Sequence, residues 1–122
     1  MQQAEQPILY YKRGCSTCDK ARAWLSQHGI RYKEREIFRN PLSAAEVEDL
    51  LGSRPITDVL STRSPAYKER GLHRGTYSDA ALLRHMELEP RLLRRPILQL
   101  GDQVLIGFDP ARWAAALGVS DK

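Results

Sequence analysis

Residues 8–18 read Ile8-Leu9-Tyr10-Tyr11-Lys12-Arg13-Gly14-Cys15-Ser16-Thr17-Cys18, and they contain both cysteines of the 122-residue chain. The apolar residues that open this stretch favour a buried strand from Pro7 to Lys12. Beyond the second cysteine, apolar residues recur with helical spacing, which predicts a helix from Asp19 to His28. Two thiols separated by two residues at a strand-to-helix junction favour thiol–disulfide chemistry.

The predicted helix start gives the two thiols different roles. The first turn of a helix leaves backbone N–H groups without partners, and these dipoles favour a negative charge at its N-terminus. A Cys15 thiolate is such a charge, so Cys15 is the predicted nucleophile. Cys18 lies one turn into the helix and can reach back as the resolving thiol. Further positive charge is expected from neighbouring side chains, partly opposed by Asp19: Lys12, Arg13, Lys20 and Arg22.

The cysteine pair has three other interpretations. A structural zinc site takes four ligands as a rule, and His28, His73 and His85 form no paired motif with the cysteines. A purely structural disulfide would close a very short loop and add little stability. Two inert buried thiols stay open as an alternative, because an unreactive cysteine is often a small apolar core residue.

The composition is typical of one globular domain. A chain of 122 residues fits a single domain, and its 42% hydrophobic and 28% charged residues are an ordinary balance for a soluble protein. No apolar run is long enough for a transmembrane helix, and the polar start is not a signal peptide. We therefore expect a cytoplasmic protein, in which a two-cysteine motif is more often catalytic or redox-sensing than structural.

The charge of the chain sets loose limits on its partners. A net charge of +4 permits acidic partners, oxyanions and nucleic acid without requiring any of them. We expect no metal, no bound cofactor, no direct DNA binding and no membrane association, and the expected state is a monomer.

The order of the remaining elements predicts the fold class. A second strand is expected over residues 31–38, after which the capping box Ser43–Glu46 opens a helix. Short helical pieces follow near residues 58–60 and 66–70, and a longer helix runs from Ser78 to about Glu87. The last third predicts a hairpin over residues 96–108, turning at Gly101-Asp102, and then a helix that starts at Asp109-Pro110 and ends at Gly118. Trp24 and Trp113 are predicted core residues.

This order predicts an α/β protein with a thioredoxin-like fold. Strand, helix and strand form a right-handed parallel crossover, and the hairpin completes a mixed four-stranded sheet. We predict a single domain over residues 1–122 that carries a helical insertion from about residue 41 to about residue 90.

The chain resembles the ArsC/Spx family of arsenate reductases and redox regulators. Its sequence pattern is closer to that of Spx than to that of the arsenate reductases. The resemblance extends over nearly the whole chain. It rests on four stretches in a fixed order: Cys15-Ser16-Thr17-Cys18, Lys20-Ala21-Arg22-Ala23-Trp24-Leu25, Ser61-Thr62-Arg63-Ser64 and Leu92-Leu93-Arg94-Arg95-Pro96-Ile97.

The resemblance implies roles for individual residues. Cys15 matches the nucleophilic cysteine of the family, and Cys18 matches the second cysteine of the Spx type. Arg95 matches an arginine that helps to bind the oxyanion in the reductases, and Pro96 matches the position of a cis proline that faces the cysteine. Arg63 is a candidate for a second arginine, so Arg63 and Pro96 are the predicted substrate-binding residues.

The chain also departs from both family patterns. The second reductase arginine falls near Ser61, two residues from Arg63, and the third falls near Gly107. This weakens the case for arsenate itself, because desolvating a multiply charged oxyanion requires several charge-assisted hydrogen bonds. The Spx glycine that meets RNA polymerase falls near Pro55, or near Gly52 across a small gap, and proline lacks a backbone donor.

Two hypotheses about function follow. In the first, the protein is a thiol-dependent reductase that resembles the arsenate reductases, with glutathione, glutaredoxin or thioredoxin as the electron donor. In the second, the protein is a redox-sensing regulator of the Spx type, in which a Cys15–Cys18 disulfide alters a surface that binds the C-terminal domain of the RNA polymerase α subunit. A relative that has lost both roles is a third, weaker alternative.

Overall fold

The computed structural model describes residues 6–121 and divides them into two compact units. The first unit comprises residues 6–36 and 95–121, and the second comprises Ile37–Arg94. The second unit contains all of the predicted helical insertion. In the described part of the chain, no helix is both long enough and apolar enough to cross a membrane.

The chain forms four strands and five helices within the described residues. In order, these are β1 (Ile8–Tyr11), α1 (Ser16–Gln27), β2 (Lys33–Glu36), α2 (Ala44–Leu51), α3 (Pro65–Glu69), α4 (Asp79–Leu88), β3 (Ile97–Leu100), β4 (Gln103–Ile106) and α5 (Pro110–Leu117). Short 3-10 turns occur at Ile56–Asp58, Leu72–Arg74 and Pro90–Leu92.

The sheet of the first unit is mixed and four-stranded, which confirms the predicted fold class. Its strand order is β2-β1-β3-β4. Strand β1 runs parallel to β2 and antiparallel to β3, and β4 closes the hairpin with β3. The parallel pair is the one joined by helix α1, so the predicted crossover is present.

Two helices bury their apolar residues against this sheet. The core contains strand residues from β1, β3 and β4 together with residues of α1 and α5: Leu9, Ala21, Trp24, Leu25, Leu98, Leu105, Trp113 and Ala114. The ring of Trp113 makes edge contacts with Trp24 and with Phe108. Its Nε1 donates a hydrogen bond of 3.0 Å to the Gly107 carbonyl. Both tryptophans are therefore core residues, as predicted.

The observed strands are shorter than the predicted ones. Strand β2 covers only Lys33–Glu36, the four residues that pair with β1. The apolar residues assigned to the end of this strand lie beyond it: Ile37 is buried in the second unit, and Phe38 is exposed.

The second unit consists of helices α2, α3 and α4 and the turns between them. The first backbone N–H of α2, at Ala44, donates to the Glu87 carboxylate of α4 over 3.0 Å. Arg91 forms ion pairs with Glu69 at 2.8 Å and with Glu89 at 3.0 Å. A β-bridge between Leu60 and Leu93 ties the middle of this unit to its end.

The capping box at the start of α2 supports a stability prediction. The Ser43 hydroxyl accepts the Glu46 N–H over 3.1 Å, and the Glu46 carboxylate accepts the Ser43 N–H over 3.0 Å. Ser43→Ala should lower the free energy of unfolding by about 1 kcal/mol, because it leaves a first-turn N–H without its partner. Urea unfolding measures this effect. Ser53→Ala, an exposed serine beyond the end of the same helix, is the matched control, and equal stabilities of the two variants would contradict the capping role.

Candidate functional site

The first cysteine is the N-cap of helix α1. Gly14 has φ +83°, a conformation that favours glycine, and the Cys15 N–H donates to the Lys12 carbonyl over 3.2 Å. Cys15 itself is extended, and the helix begins at Ser16 rather than at the predicted Asp19. The helix starts earlier because the Cys15 sulfur accepts the Cys18 N–H over 3.3 Å, which occupies one of the donors of the first turn.

This position favours negative charge on the Cys15 sulfur. The sulfur lies at the positive end of the helix dipole and accepts a backbone hydrogen bond, and both interactions stabilise an anion more than a neutral thiol. Cys15 is only partly buried, so small molecules can reach it, whereas an inert core cysteine would be enclosed.

The second cysteine has the opposite environment. Cys18 is fully buried, and burial together with a hydrogen bond to Cys15 raises the pKa of the Cys18 thiol to about 12. A hydrogen bond with the Lys12 backbone and the positive charge of Arg95 act in the opposite direction on this pKa and reduce the shift. Cys18 is therefore a protonated thiol at neutral pH, and it lies beside the less buried Cys15.

The structure brings Arg95 and Pro96 to the same unit as the thiols. Arg95 is half-buried, and its charge is close enough to lower the pKa of Cys18. The Arg95–Pro96 peptide bond is cis. Pro96 is buried, and its carbonyl accepts the Gly107 N–H over 2.8 Å. The predicted substrate-binding role of Pro96 stays a prediction.

The basic residues beside the motif have partners of their own. The Arg22 guanidinium donates to the Glu34 carboxylate over 2.6 Å and lies over the Tyr11 ring at 4.7 Å from its centre. The Lys12 ammonium donates to the Arg13 carbonyl over 3.0 Å. Glu34 therefore neutralises part of the positive charge that was expected around Cys15, and the cation that acts on the Cys18 thiol is Arg95.

Two of the histidines make local structural contacts. The His28 ring stacks on Trp24 at 4.0 Å between ring centres, and its Nδ1 lies 2.8 Å from the Trp24 carbonyl. His85 Nδ1 accepts a hydrogen bond of 2.9 Å from Arg70 Nε. Over residues 6–121, no group of three or more His, Cys, Asp or Glu side chains is arranged to hold a metal ion.

Arg63 and Arg94 both lie in the second unit, where they line one pocket. Residues that enter a strand alternate between its two faces. The alternation is present, since Arg94 is exposed and Arg95 is half-buried. The pocket was not predicted. Its only sequence signal is the hydroxyl-rich stretch Ser61-Thr62-Arg63-Ser64. The substrate-binding role of Arg63 stays a prediction.

The contrast between the two thiols predicts selective alkylation. Because burial raises the pKa of Cys18 to about 12, its thiolate at pH 8 is far scarcer than that of an ordinary cysteine. Iodoacetamide at pH 8 should therefore modify Cys15 and leave Cys18 intact, as peptide mass spectrometry can measure. In denaturant, where burial is lost, both should react at similar rates. Equal modification in the folded protein would contradict the assigned environments.

Comparison with known proteins identifies relatives over most of the chain. The sequence model of the ArsC family matches residues 10–116. The global transcriptional regulator Spx of Listeria innocua is 35% identical over 103 residues, which cover 83% of this chain and 79% of that protein. The regulator Spx 2 of Oceanobacillus iheyensis is 37% identical over 103 residues, covering 83% of this chain and 76% of that protein.

Solved structures agree on the fold. An arsenate reductase from Vibrio cholerae superposes with a TM-score of 0.81 and 25% sequence identity, over 97% of this chain and 100% of that one. The mixed sheet, the thiol motif at the start of α1 and the match over residues 10–116 agree with one another. This chain therefore belongs to the ArsC family and has its thioredoxin-like fold.

Proposed function

We propose that this protein carries out reversible thiol–disulfide chemistry, with Cys15 as the nucleophile and Cys18 as the resolving thiol. The observation that carries the proposal is the 3.3 Å hydrogen bond from the Cys18 N–H to the Cys15 sulfur at the start of α1. It holds an accessible sulfur where negative charge is stabilised, one helical turn from a buried thiol.

In the first step, the Cys15 thiolate attacks one sulfur of a substrate disulfide. A bond forms between Cys15 Sγ and that sulfur, the substrate S–S bond breaks, and the other substrate sulfur leaves as a thiolate that takes a proton from solvent. The product is a mixed disulfide on Cys15. The buried thiol of Cys18 does not compete, because its raised pKa keeps it protonated.

In the second step, Cys18 attacks the Cys15 sulfur of the mixed disulfide. The mixed disulfide carries no charge on Cys15, so the repulsion by a Cys15 thiolate that helps to raise the pKa of Cys18 is gone. Cys18 then loses its proton more readily and forms the Cys15–Cys18 bond, while the bound substrate half leaves as a thiol. Arg95 supports this step, because its charge already favours the Cys18 thiolate.

A thiol donor completes the cycle. The Cys15–Cys18 disulfide takes two electrons from two donor thiols, which become a disulfide themselves. Glutathione, glutaredoxin and thioredoxin are the donor classes that the family resemblance implies. No bound cofactor takes part in these steps.

A trapping experiment tests this assignment. The Cys18→Ser variant, treated with glutathione disulfide, should accumulate one glutathionyl group on Cys15, because no second thiol is present to release it. The wild-type protein under the same conditions should instead form its internal disulfide. Intact-mass spectrometry with peptide mapping distinguishes these products. A Cys18→Ser variant that stays unmodified would overturn the assignment of Cys15 as the nucleophile.

The names of the sequence relatives favour a second candidate function. Those relatives at 35% and 37% identity are called global transcriptional regulators. In this alternative, the same disulfide acts as a switch: oxidation links the N-cap of α1 to its first turn and changes a surface that binds the C-terminal domain of the RNA polymerase α subunit.

Binding assays separate the two functions. In the regulatory alternative, the oxidised and reduced proteins should retain the purified C-terminal domain of the α subunit to different extents in a pull-down. The Cys15→Ser/Cys18→Ser double variant should behave like the reduced form under both conditions. Absence of binding in every state would remove the regulatory function and leave the thiol chemistry intact.

A further inference from the structure

The chain makes a tight turn between strand β1 and the nucleophile. The Cys15 N–H donates to the Lys12 carbonyl over 3.2 Å, and Gly14 has φ +83°. A hydrogen bond between the first and fourth residues, together with a positive φ at the third, is typical of a type II turn. Residues 12–15, called the thiol turn below, therefore set the place of the Cys15 sulfur at the N-cap of α1.

Two side chains hold the backbone of Arg13, the second residue of the thiol turn. The Arg13 N–H donates to a carboxylate oxygen of Glu36 over 2.8 Å. The Lys12 ammonium donates to the Arg13 carbonyl over 3.0 Å. The hydrogen bond of the turn itself uses neither of these backbone groups, so each side chain adds a separate restraint. Lys12 belongs to the turn, whereas Glu36 ties the turn to a neighbouring strand.

The register of the sheet brings Glu36 to the thiol turn. Glu36 is the last residue of β2 and pairs with Tyr11, the last residue of β1. Because the two strands are parallel, their carboxyl ends lie at the same edge of the sheet. Side chains two residues apart on a strand share a face, so Glu36 lies on the same face as Glu34, whose carboxylate binds Arg22 of α1. Glu36 therefore faces the side of the sheet on which α1 begins.

The Glu36 carboxylate has two opposing effects on a thiolate at Cys15. Its negative charge repels the thiolate, but solvent screens the charge of this exposed contact. Its hydrogen bond to the Arg13 N–H is charge-assisted and therefore strong. This bond maintains the turn that places the sulfur where the helix dipole and the Cys18 N–H favour negative charge. The restraint on the turn should thus outweigh the screened repulsion.

We propose that Glu36 is a positioning residue for the Cys15 nucleophile: by holding the Arg13 N–H, it keeps the thiol turn in the conformation that places the Cys15 sulfur at the start of α1. Glu36 acts through the backbone of the turn and forms no bond to the substrate. The inference rests on the proposed function, in which Cys15 is the nucleophile, and adds to it a residue of β2 that lies outside the cysteine motif.

The test compares the reduced full-length wild type with Glu36→Ala and Glu36→Gln. Mass spectrometry follows the rate of iodoacetamide alkylation at Cys15 as a function of pH, and the rate at pH 6.5 is divided by the plateau rate at high pH. Both rates refer to the same sulfur, so the ratio reports its thiolate fraction and not its accessibility. Glu36→Ala should lower this ratio about threefold, a usual size for the interaction of one charge with a helix terminus. Glu36→Gln should retain at least the wild-type ratio, because its amide oxygen still accepts the Arg13 N–H.

The sign of the change separates positioning from a simple effect of charge. If Glu36 acted through its charge alone, Glu36→Ala and Glu36→Gln would both raise the ratio, since each removes the same negative charge. Glu36→Leu keeps the bulk of the side chain without an acceptor, and it should lower the ratio even if Glu36→Ala does not fold. Glu48→Ala, which removes an exposed carboxylate of α2, should keep the wild-type ratio.

The positioning role is overturned if the variants without an acceptor give the wild-type ratio or a higher one, or if Glu36→Gln falls as far as Glu36→Leu. Alkylation involves no disulfide, so these results are separate from the trapping experiment with glutathione disulfide. A wild-type protein that is alkylated at Cys15 but never forms a disulfide would overturn the proposed function, and the ratios would still decide the effect of Glu36 on the thiolate.

Discussion

Cys15→Ser should abolish turnover in any thiol–disulfide assay that the wild-type protein supports. A serine hydroxyl forms no disulfide, so the first step is lost rather than slowed. The variant should still fold, because serine is a favoured N-cap residue and its oxygen can accept the Cys18 N–H in place of the sulfur. Reduction of glutathione disulfide or of a small synthetic disulfide, coupled to a thiol donor, measures the rate.

The Cys18→Ser variant is the matched control for this loss. This variant keeps the nucleophile, so it should still form the mixed disulfide between Cys15 and one half of the substrate. Without Cys18, the bound substrate half is not released. Circular dichroism should give the same helical content for both variants and the wild type. Turnover by the Cys15→Ser variant at the wild-type rate would show that another group is the nucleophile.

Trp113→Ala should lower the free energy of unfolding by about 3–5 kcal/mol, the usual cost of removing a large buried aromatic side chain. Trp113 is 1% exposed and contacts both Trp24 and Phe108, so its removal leaves a cavity at the centre of the first unit. Its hydrogen bond to the Gly107 carbonyl is lost as well. Chemical denaturation, followed by circular dichroism, measures the change.

Two variants make this measurement specific. Arg112→Ala changes the exposed neighbour on the same helix and should alter stability by no more than about 0.5 kcal/mol. Trp113→Phe retains an aromatic ring without the indole N–H. Its free energy of unfolding should lie between those of Trp113→Ala and Arg112→Ala. If Trp113→Ala were as stable as Arg112→Ala, the assignment of Trp113 to the core would be contradicted.

The elements with strong local signals could be predicted from the sequence. The hairpin turns at Gly101-Asp102 as expected, and Gly101 has φ +60° there. Helices α4 and α5 are capped by Ser78 and Asp109, whose side chains accept first-turn N–H groups. These signals are local, since each depends on one turn or one cap.

The start of helix α1 could not be predicted to the residue. Cysteine is not among the preferred N-cap residues, so the spacing of the apolar residues alone set the predicted start at Asp19. The sulfur of Cys15 caps the helix nevertheless. The contact that moves this boundary links the Cys15 sulfur to the backbone N–H of Cys18, its partner in the proposed mechanism.

The surroundings that depend on packing between distant segments also could not be predicted from sequence patterns. Motif spacing indicated that Cys18 could resolve a mixed disulfide, but its full burial depends on packing. Arg22 lies one turn beyond the cysteine motif in sequence, yet its charge is directed to Glu34 on a neighbouring strand. The pocket at Arg63 and Arg94 forms only because distant segments pair at Leu60 and Leu93.

The most direct measurement is a redox titration of the wild-type protein in glutathione buffers, with free thiols trapped at each ratio and mapped by mass spectrometry. We expect Cys15 and Cys18 to convert together and reversibly between two thiols and one internal disulfide. A protein that keeps both thiols under oxidising ratios, or that binds glutathione at Cys15 without ever linking to Cys18, would contradict the proposed pairing.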